Sequence, residues 1–266
     1  MQISVCWDII LTAEKQKIGR VGIMSGKGLF DIHCHIVPSV DDGAADLQEA
    51  EELLRMEYSQ GVRSIILTPH FRVGMFETPS EQIWEQFCAL KEAAHRITPG
   101  LDLYLGCEFY ANMEMIEMLK NGCGAVMADS RYVLTEFSGR APASYIRERL
   151  YALLLHGYKP IAAHVERYEA VRKNRGFLEE LVEMGTLIQI NADSLLGIEG
   201  FGTKRFCIRL LKAEMVHFVG SDCHRTVGRI PRIGKAYHYI LKKFGEKYAE
   251  EIFLKNPSKL LKDAAD

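Results

Sequence analysis

The stretch "GLFDIHCHIVPSVDDG", residues 28–43, decides how this chain is read. A short apolar lead ends on two histidines one residue apart, and a loop then carries two adjacent aspartates. In an extended segment, side chains two residues apart project to the same side, so His33 and His35 can grip one ion while Cys34 points away. The lead "GLFDI" (28–32) reads as a strand, and the pattern of an apolar run ending in a titratable residue repeats along the chain.

After this strand comes "DLQEAEELLRMEYSQG" (46–61), where Leu47, Ala50, Leu53, Leu54 and Tyr58 recur at helical spacing. Asp46 with Glu49 three residues on forms a capping box, and Gly61 suits the position just past the helix end. Further strands are expected at "VRSIILT" (62–68), "LDLYLG" (101–106), "RYVLTEF" (131–137), "KPIAAH" (159–164), "TLIQIN" (186–191) and "MVHFVGSD" (215–222). Helical patterns lie near 79–95, 112–120, 144–156, 174–184, 203–213, 232–244 and 246–254. Seven strand and helix units without a linker or repeat imply parallel strands with right-handed crossovers, in an open sheet or a closed barrel.

The residue types at the strand ends separate those two architectures. The first strand ends at His33 and His35, the second at His70, the third at Glu108, the fourth at Glu136, the fifth at His164 and the seventh at Asp222 and His224. An open sheet gathers ligands at one switch point, whereas every strand of a barrel delivers its C-terminal end to the same mouth. Six of seven strand ends with a metal-ligand type favour a seven-stranded TIM-like α/β barrel.

Composition narrows the function classes. A length of 266 residues fits one large α/β domain, and 33 basic against 35 acidic residues offer no electrostatic footprint for nucleic acid. Seven scattered cysteines (6, 34, 88, 107, 123, 207, 223) without a CxxC pair suit reduced thiols. No apolar run approaches the roughly 20 residues needed to span a bilayer, and no signal peptide is evident, so the chain reads as cytoplasmic. Residues 1–27 have weak periodicity and read as an appendage or as translation from upstream of the true start. The remainder, 28–266, is taken as one domain.

Asp222 and His224 repeat the geometry of His33 and His35 at the last strand. Mixed imidazole and carboxylate ligands suit Mn, Zn or Fe better than Ca or Mg alone, and Glu108 is the candidate carboxylate bridge between ions. Multinuclear sites ionise water near neutral pH and clamp the oxygens of a phosphoryl group, so phosphate ester hydrolysis is the natural reaction class. One histidine at a strand end is ordinarily a surface residue; the joint pattern carries the assignment. His95, His156, His217 and His238 lie inside helical or strand patterns and are read as structural or exposed.

"DIHCHIVPSVDDG", "TPHFRVGMFETP", "GCEFY", "YVLTEF", "AHVERY" and "GSDCHRTVGRIP" resemble the bacterial protein-tyrosine phosphatases of the PHP (polymerase and histidinol phosphatase) family, the manganese-dependent type encoded with capsular or exopolysaccharide genes. The resemblance runs from about residue 29 to the C-terminus. It implies a distorted seven-stranded β/α barrel, the PHP fold, with three divalent ions, Mn first and Fe, Zn or Mg as alternatives. By motif, His33, His35, Glu108 and Asp222 would hold the first ion. Glu108 would bridge to the second with Glu136 and His164, and Asp42, His70 and His224 would hold the third. The motif also selects Asp42 over Asp41, leaving Asp41 to support the ligands or shape the loop.

Arg167 in "AHVER" and Arg229 in "VGRIP" match the family's substrate-phosphate arginines, whose task is bidentate contact with nonbridging oxygens. Arg72 in "HFRVGMF" is a weaker candidate, because the doubled basic pair of some relatives is missing. "CHRTVGR" (223–229) is also a literal C-x5-R, the short pattern of cysteine-dependent tyrosine phosphatases. Cys223 is flanked by two expected ligands and Ile230–Pro231 follow the arginine, so a chance match is the better account.

The resemblance implies in-line attack of activated water on phosphotyrosine, with the tyrosine-rich tail of a phosphorylated bacterial tyrosine kinase that controls polysaccharide export as substrate. A phenol of pKa about 10 leaves with less protonation than a serine alkoxide. The alternatives are a small-molecule phosphatase of the same superfamily, such as histidinol-phosphatase, and a metal-bound module that holds the kinase tail without cleaving it. Self-association is compatible with the sequence, and neither nucleic acid nor membrane insertion is expected.

Overall fold

The computed structural model describes residues 28–264, so the reading of residues 1–27 as an appendage lies outside the described residues. Nine strands are found there: β1 (Leu29–Asp31), β2 (Val62–Leu67), β3 (His70–Phe71), β4 (Asp102–Leu105), β5 (Glu108–Tyr110), β6 (Tyr132–Glu136), β7 (Lys159–Ala162), β8 (Leu187–Asn191) and β9 (Phe218–Gly220). Every pairing is parallel, in the orders β1-β2-β4 and β3-β5-β6-β7-β8-β9.

Each of the seven expected runs contains strand, but seven uninterrupted strands are not what forms. Thr68–Pro69 separate β2 from β3, and Gly106–Cys107 separate β4 from β5. Proline has no N–H to give to a ladder. A side chain at Gly106 would meet Met127 Sδ at 2.9 Å. The two breaks lie side by side, because Leu67 pairs with Leu105 before them and His70 with Glu108 after them.

The sheet curls around an apolar interior. Phe30, Ile32, Ile66, Leu134, Ile161 and Phe218 come from five strand runs yet meet in one cluster, which Met127 and Leu260 complete. The alternate residues Leu29, Ile65, Val133, Ala162, Ile188 and Val219 face outward into the larger core beneath the helices. Both faces are therefore buried, which explains why these strands read as continuous apolar runs instead of alternating ones. Each fully buried aliphatic side chain contributes roughly 1.5–3 kcal/mol.

Helices cover the outside: α1 (Leu47–Ser59), α2 (Ser80–Ile97), α3 (Met115–Lys120), α4 (Ala143–Leu155), α5 (Glu169–Lys173), α6 (Arg175–Glu183), α7 (Ala192–Leu196), α8 (Phe201–Lys212), α9 (Ile233–Phe244), α10 (Glu246–Glu250) and α11 (Asn256–Asp263). The expected cap of α1 forms, with Asp46 accepting the Glu49 N–H at 2.9 Å. Glu49 reaches back one residue further than in the standard box, to the Ala45 N–H at 2.9 Å, and Gly61 follows the helix at φ +89°. The helical chain also runs beyond the expected 246–254, through a π-helical turn into α11. Pro257 is tolerated there because it sits in the first turn of α11. Among the described residues, no helix is long and apolar enough to cross a membrane.

Candidate metal centre

The strand ends bring the expected ligands to one mouth. His33 and His35 follow β1, His70 opens β3, Glu108 opens β5, Glu136 ends β6, His164 follows β7, and Asp222 and His224 follow β9. Asp42 returns from the loop after β1. Two of these residues hold left-handed backbone, His164 at φ 32° and Asp222 at φ 52°, an arrangement that costs about 1 kcal/mol or more and concentrates at functional sites. Close approach of the chain matters too. A Cβ at Gly43 would sit 2.1 Å from the His35 carbonyl oxygen, and one at Gly220 would sit 2.6 Å from His33 Cβ.

Glu108 is the hub. Its Oε2 lies 3.1 Å from His33 Nε2, 3.2 Å from His35 Nε2 and 3.1 Å from His70 Nδ1, and its Oε1 lies 2.7 Å from His164 Nε2. Asp222 Oδ1 stands 3.6 Å from His33 Nε2 and 3.5 Å from His35 Nε2. On the open side, Asp42 Oδ1 is 3.6 Å from His70 Nε2 and 3.5 Å from His224 Nε2. Glu136 approaches both His164, at 3.7 Å, and His70, at 3.9 Å. All nine residues thus form one continuous cluster.

Three compact donor groups lie within it: His33, His35, Glu108 and Asp222; His35, Asp42, His70 and His224; and His70, Glu108 and Glu136. The first coincides with the set implied by resemblance. The second adds His35 to the implied set of Asp42, His70 and His224, and the third holds His70 where the resemblance places His164, which belongs to none of these three groups. Glu108 Oε2, His70 Nδ1, His164 Nδ1 and His224 Nε2 are buried without a hydrogen-bond partner. Those on Glu108, His70 and His224 face other members of the cluster, whereas His164 meets it through Nε2. Buried donors placed in this way are what divalent cations satisfy, and the imidazole and carboxylate mixture suits borderline ions.

Supporting hydrogen bonds fix which ring nitrogen faces the cluster. His35 Nδ1–H donates to Asp41 Oδ2 at 2.8 Å, which turns Nε2 toward the cluster. His33 Nδ1–H donates to Gln189 Oε1 at 3.2 Å, and the same oxygen takes the His164 backbone N–H at 2.7 Å. His224 Nδ1–H donates to the Asp222 carbonyl at 3.0 Å.

Crowding sets the electrostatics. Burial raises the Glu108 carboxyl, but His33 and His70 outweigh it and hold the group well below the usual range. Asp222 behaves alike: burial raises it, and His33, His35 and the arginines overcome that. Glu136 is pushed up to about 7, by burial first and then by the Glu108 charge. His70 is pulled down to about 4, by burial and then by His35. Burial opposes charge on His35 as well, yet Asp41, Asp222 and Glu108 raise it well above the ordinary value.

Arg167 and Arg229 both reach this centre. Arg167 Nη1 donates to Asp222 Oδ2 at 3.0 Å, and Arg229 Nη2 stands 2.8 Å from Asp222 Oδ1. Beside them opens a cavity of about 420 Å³ lined by Arg167, Asn191, Asp193, Ile198, Glu199, Ser221, Asp222, Gly228 and Arg229. Arg72 is placed otherwise, its guanidinium 4.1 Å over the Tyr110 ring.

Cys34 and Cys223 are fully buried and pair as an isolated parallel bridge. The Cys223 thiol groups with Asp31 and Glu57 and not with the expected ligands. Burial pushes the Cys34 thiol well up, so it stays protonated.

Several polar partners were not anticipated from sequence. Gln189 positions His33 and His164, and Asn191 Nδ2 donates to Asp222 Oδ2 at 2.7 Å. Glu199 takes the second Arg167 nitrogen at 2.6 Å and is itself held by Ser194 at 2.6 Å. A signal existed for two of them: Gln189 and Asn191 stand two residues apart in the otherwise apolar "TLIQIN", the one strand that ends without an expected ligand.

The chain is similar to known proteins over most of its length. The family model described as capsular polysaccharide synthesis, CpsB/CapC, matches residues 29–262. The chain is 39% identical over 240 residues to the tyrosine-protein phosphatase CpsB of Streptococcus pneumoniae, covering 88% of this chain and 99% of that one. It is 33% identical over 225 residues to the tyrosine-protein phosphatase YwqE of Bacillus subtilis (strain 168), covering 82% of this chain and 86% of that one. A crystal structure from a study of YwqE from Bacillus subtilis and CpsB from Streptococcus pneumoniae, described as unique metal-dependent tyrosine phosphatases, superimposes with a TM-score of 0.83 at 34% identity. That match covers 88% of this chain and 94% of the other.

Proposed function

Because the chain belongs to the capsular polysaccharide synthesis CpsB/CapC family, we propose that it is a metal-dependent phosphotyrosine-protein phosphatase. The observation that carries this reading is the convergence of three imidazole nitrogens on Glu108 Oε2, beside a cavity walled by Arg167 and Arg229. His33, His35, Glu108 and Asp222 would hold one ion; Glu108, Glu136 and His164 a second; Asp42, His70 and His224 a third, with Mn as the expected metal. When bound, such ions supply water activated near neutral pH and positive charge toward phosphoryl oxygens.

The chain's own groups bind and orient the substrate. Arg167 and Arg229 now lean on Asp222, and a phosphoryl group entering the cavity takes over guanidinium edges held by Asp222 and Glu199. There the two fixed charges counter the negative charge on the equatorial oxygens, an effect worth roughly 10²–10³ in rate per donor. The tyrosyl oxygen, with a pKa of about 10, needs less protonation to depart than a serine alkoxide does. Cys223 takes no part, because it is fully buried and its thiol groups with Asp31 and Glu57.

The curled sheet is read as a distorted seven-stranded β/α barrel of the PHP type, in which the two broken runs each count once. The substrate is read as the phosphorylated tail of a bacterial tyrosine kinase governing capsular or exopolysaccharide synthesis, met in the cytoplasm.

Turnover of a phosphotyrosyl peptide, measured after chelation and after Mn readdition, tests the reading, with histidinol phosphate as the competing substrate. Activity lost on chelation and restored by Mn, with the peptide strongly preferred, is expected for wild type and for Cys223→Ser. Loss in Cys223→Ser with indifference to the chelator would establish the cysteine mechanism instead. A preference for histidinol phosphate would sink the substrate assignment.

A further inference from the structure

One layer beneath the ligands lies a second acidic group. Asp31, the last residue of β1, is fully buried, and its Oδ1 accepts two backbone amides, that of His33 at 3.2 Å and that of Ser221 at 3.0 Å. His33 begins the H-x-H segment and Ser221 immediately precedes the D-x-H segment. No strand ladder joins β1 to β9 among the described residues. The segments are held together instead by Asp222 N–H to the His33 carbonyl at 2.8 Å, His35 N–H to the Cys223 carbonyl at 2.9 Å, and the double acceptor Asp31.

Asp31 has its own support. Its Oδ2 is buried without a hydrogen-bond partner, and so are both carboxyl oxygens of Glu57, an acidic residue on the buried face of α1. Ligand-type atoms of Asp31, Glu57 and Cys223 lie within 4.8 Å of one another. An acidic side chain at a position where a helix ordinarily buries an apolar one costs several kcal/mol unless a partner answers it. Here each carboxyl is the other's available partner, since a hydrogen atom on Glu57 would satisfy Asp31 Oδ2.

We propose that Asp31 is a positioning residue that sets the spacing between the H-x-H and D-x-H segments, and that Glu57 holds it in place from α1 by donating a hydrogen bond. The inference rests on the reading of those two segments as metal ligands. Asp31 acts through the backbone of both, accepting the His33 and Ser221 amides.

The test uses the full chain with Glu57→Gln, Glu57→Leu and Glu57→Met, measuring Mn content, Mn affinity by electron paramagnetic resonance, and melting temperature. Glutamine keeps an N–H donor and should bind Mn within about threefold of wild type. Leucine and methionine keep the volume without the donor, and should lose about tenfold or more in Mn affinity, the range seen when residues supporting metal ligands are removed. A merely structural Glu57 predicts the reverse, since an apolar residue in a buried acidic position leaves the fold as stable or more so. Wild-type Mn affinity in either folded apolar variant overturns the proposal. So does loss of one equivalent of metal in Glu57→Gln, which would place an ion among Asp31, Glu57 and Cys223. Absence of divalent-metal binding in the wild type would overturn the ligand reading itself, a result distinct from failure of this inference alone.

Discussion

Asp41 Oδ2 takes the Nδ1 hydrogen of His35 at 2.8 Å, and the same oxygen takes the backbone N–H of His70 at 2.9 Å. The aspartate that precedes the expected ligand is therefore not a spare copy of it. One residue fixes the tautomer of His35 and anchors the start of β3, while its neighbour Asp42 faces His70 and His224.

The two aspartates should separate by substitution. Asp42→Ala is expected to strip the ion held with His70 and His224 while the others remain. Asp41→Ala should leave metal stoichiometry intact at saturating Mn but weaken affinity about 10-fold to 100-fold, as for other groups that orient a ligating histidine. Metal content after dialysis and calorimetric Mn titration distinguish these outcomes.

Arg229→Ala should lower kcat/KM for a phosphotyrosyl peptide by roughly 10²–10³, the range for loss of one donor to developing charge. Arg229→Lys should recover only part of it, because an ammonium cannot make the planar two-point contact. Steady-state kinetics check both, and equal activity in all three proteins would remove Arg229 from substrate binding.

Much of this site was legible because its residues obey a local rule. Period-two spacing makes His33 with His35, and Asp222 with His224, visible as pairs, and strand-end position makes Glu108, Glu136 and His164 visible one by one. Glu199 was not legible, since its importance lies in a partner 32 residues away; Gln189 left a signal only in its polar spacing with Asn191, while its partner His164 lies 25 residues away. Glu57 was hidden for another reason: on a helix an acidic residue is ordinarily solvated, and only the fold shows it buried against Asp31. The short strands β3 and β5 were missed because the apolar runs stop at Thr68 and Gly106, and His70 and Glu108 beyond them read as strand-end polar residues.

Acid should loosen the C-terminal helix. Asp263 of α11 accepts from Arg131 at 2.6 Å and also pairs with Lys159, and these contacts hold its carboxyl below the ordinary value. A depressed folded-state pKa adds stability that is complete above the unfolded value near 4 and disappears as pH falls through the folded value. Because Arg131 is largely exposed, the contribution is on the order of 1 kcal/mol. Asp263→Asn should lower melting temperature at pH 7, and the difference from wild type should shrink steadily below pH 4.

Metal should stabilise the fold as well as activate it. Ligands that bind only the native state raise stability with concentration, by about 2.7 kcal/mol at 100 times Kd. Melting temperature should therefore climb with added Mn, and His35→Ala should blunt the climb. A melting curve indifferent to Mn in the wild type would contradict the ligand set.

The matched breaks in the sheet impose a rule on chain length. Two residues separate β2 from β3 and two separate β4 from β5, so that Leu67 opposite Leu105 and His70 opposite Glu108 belong to one register. Insertion of a single residue into either break would slide His70 past Glu108 by about 3.3 Å and turn one side chain to the opposite face. Insertions into both would restore the pairing yet rotate both side chains together. Homologous chains that retain this centre are thus expected to show no length variation at 68–69 or 106–107, whatever residues they place there.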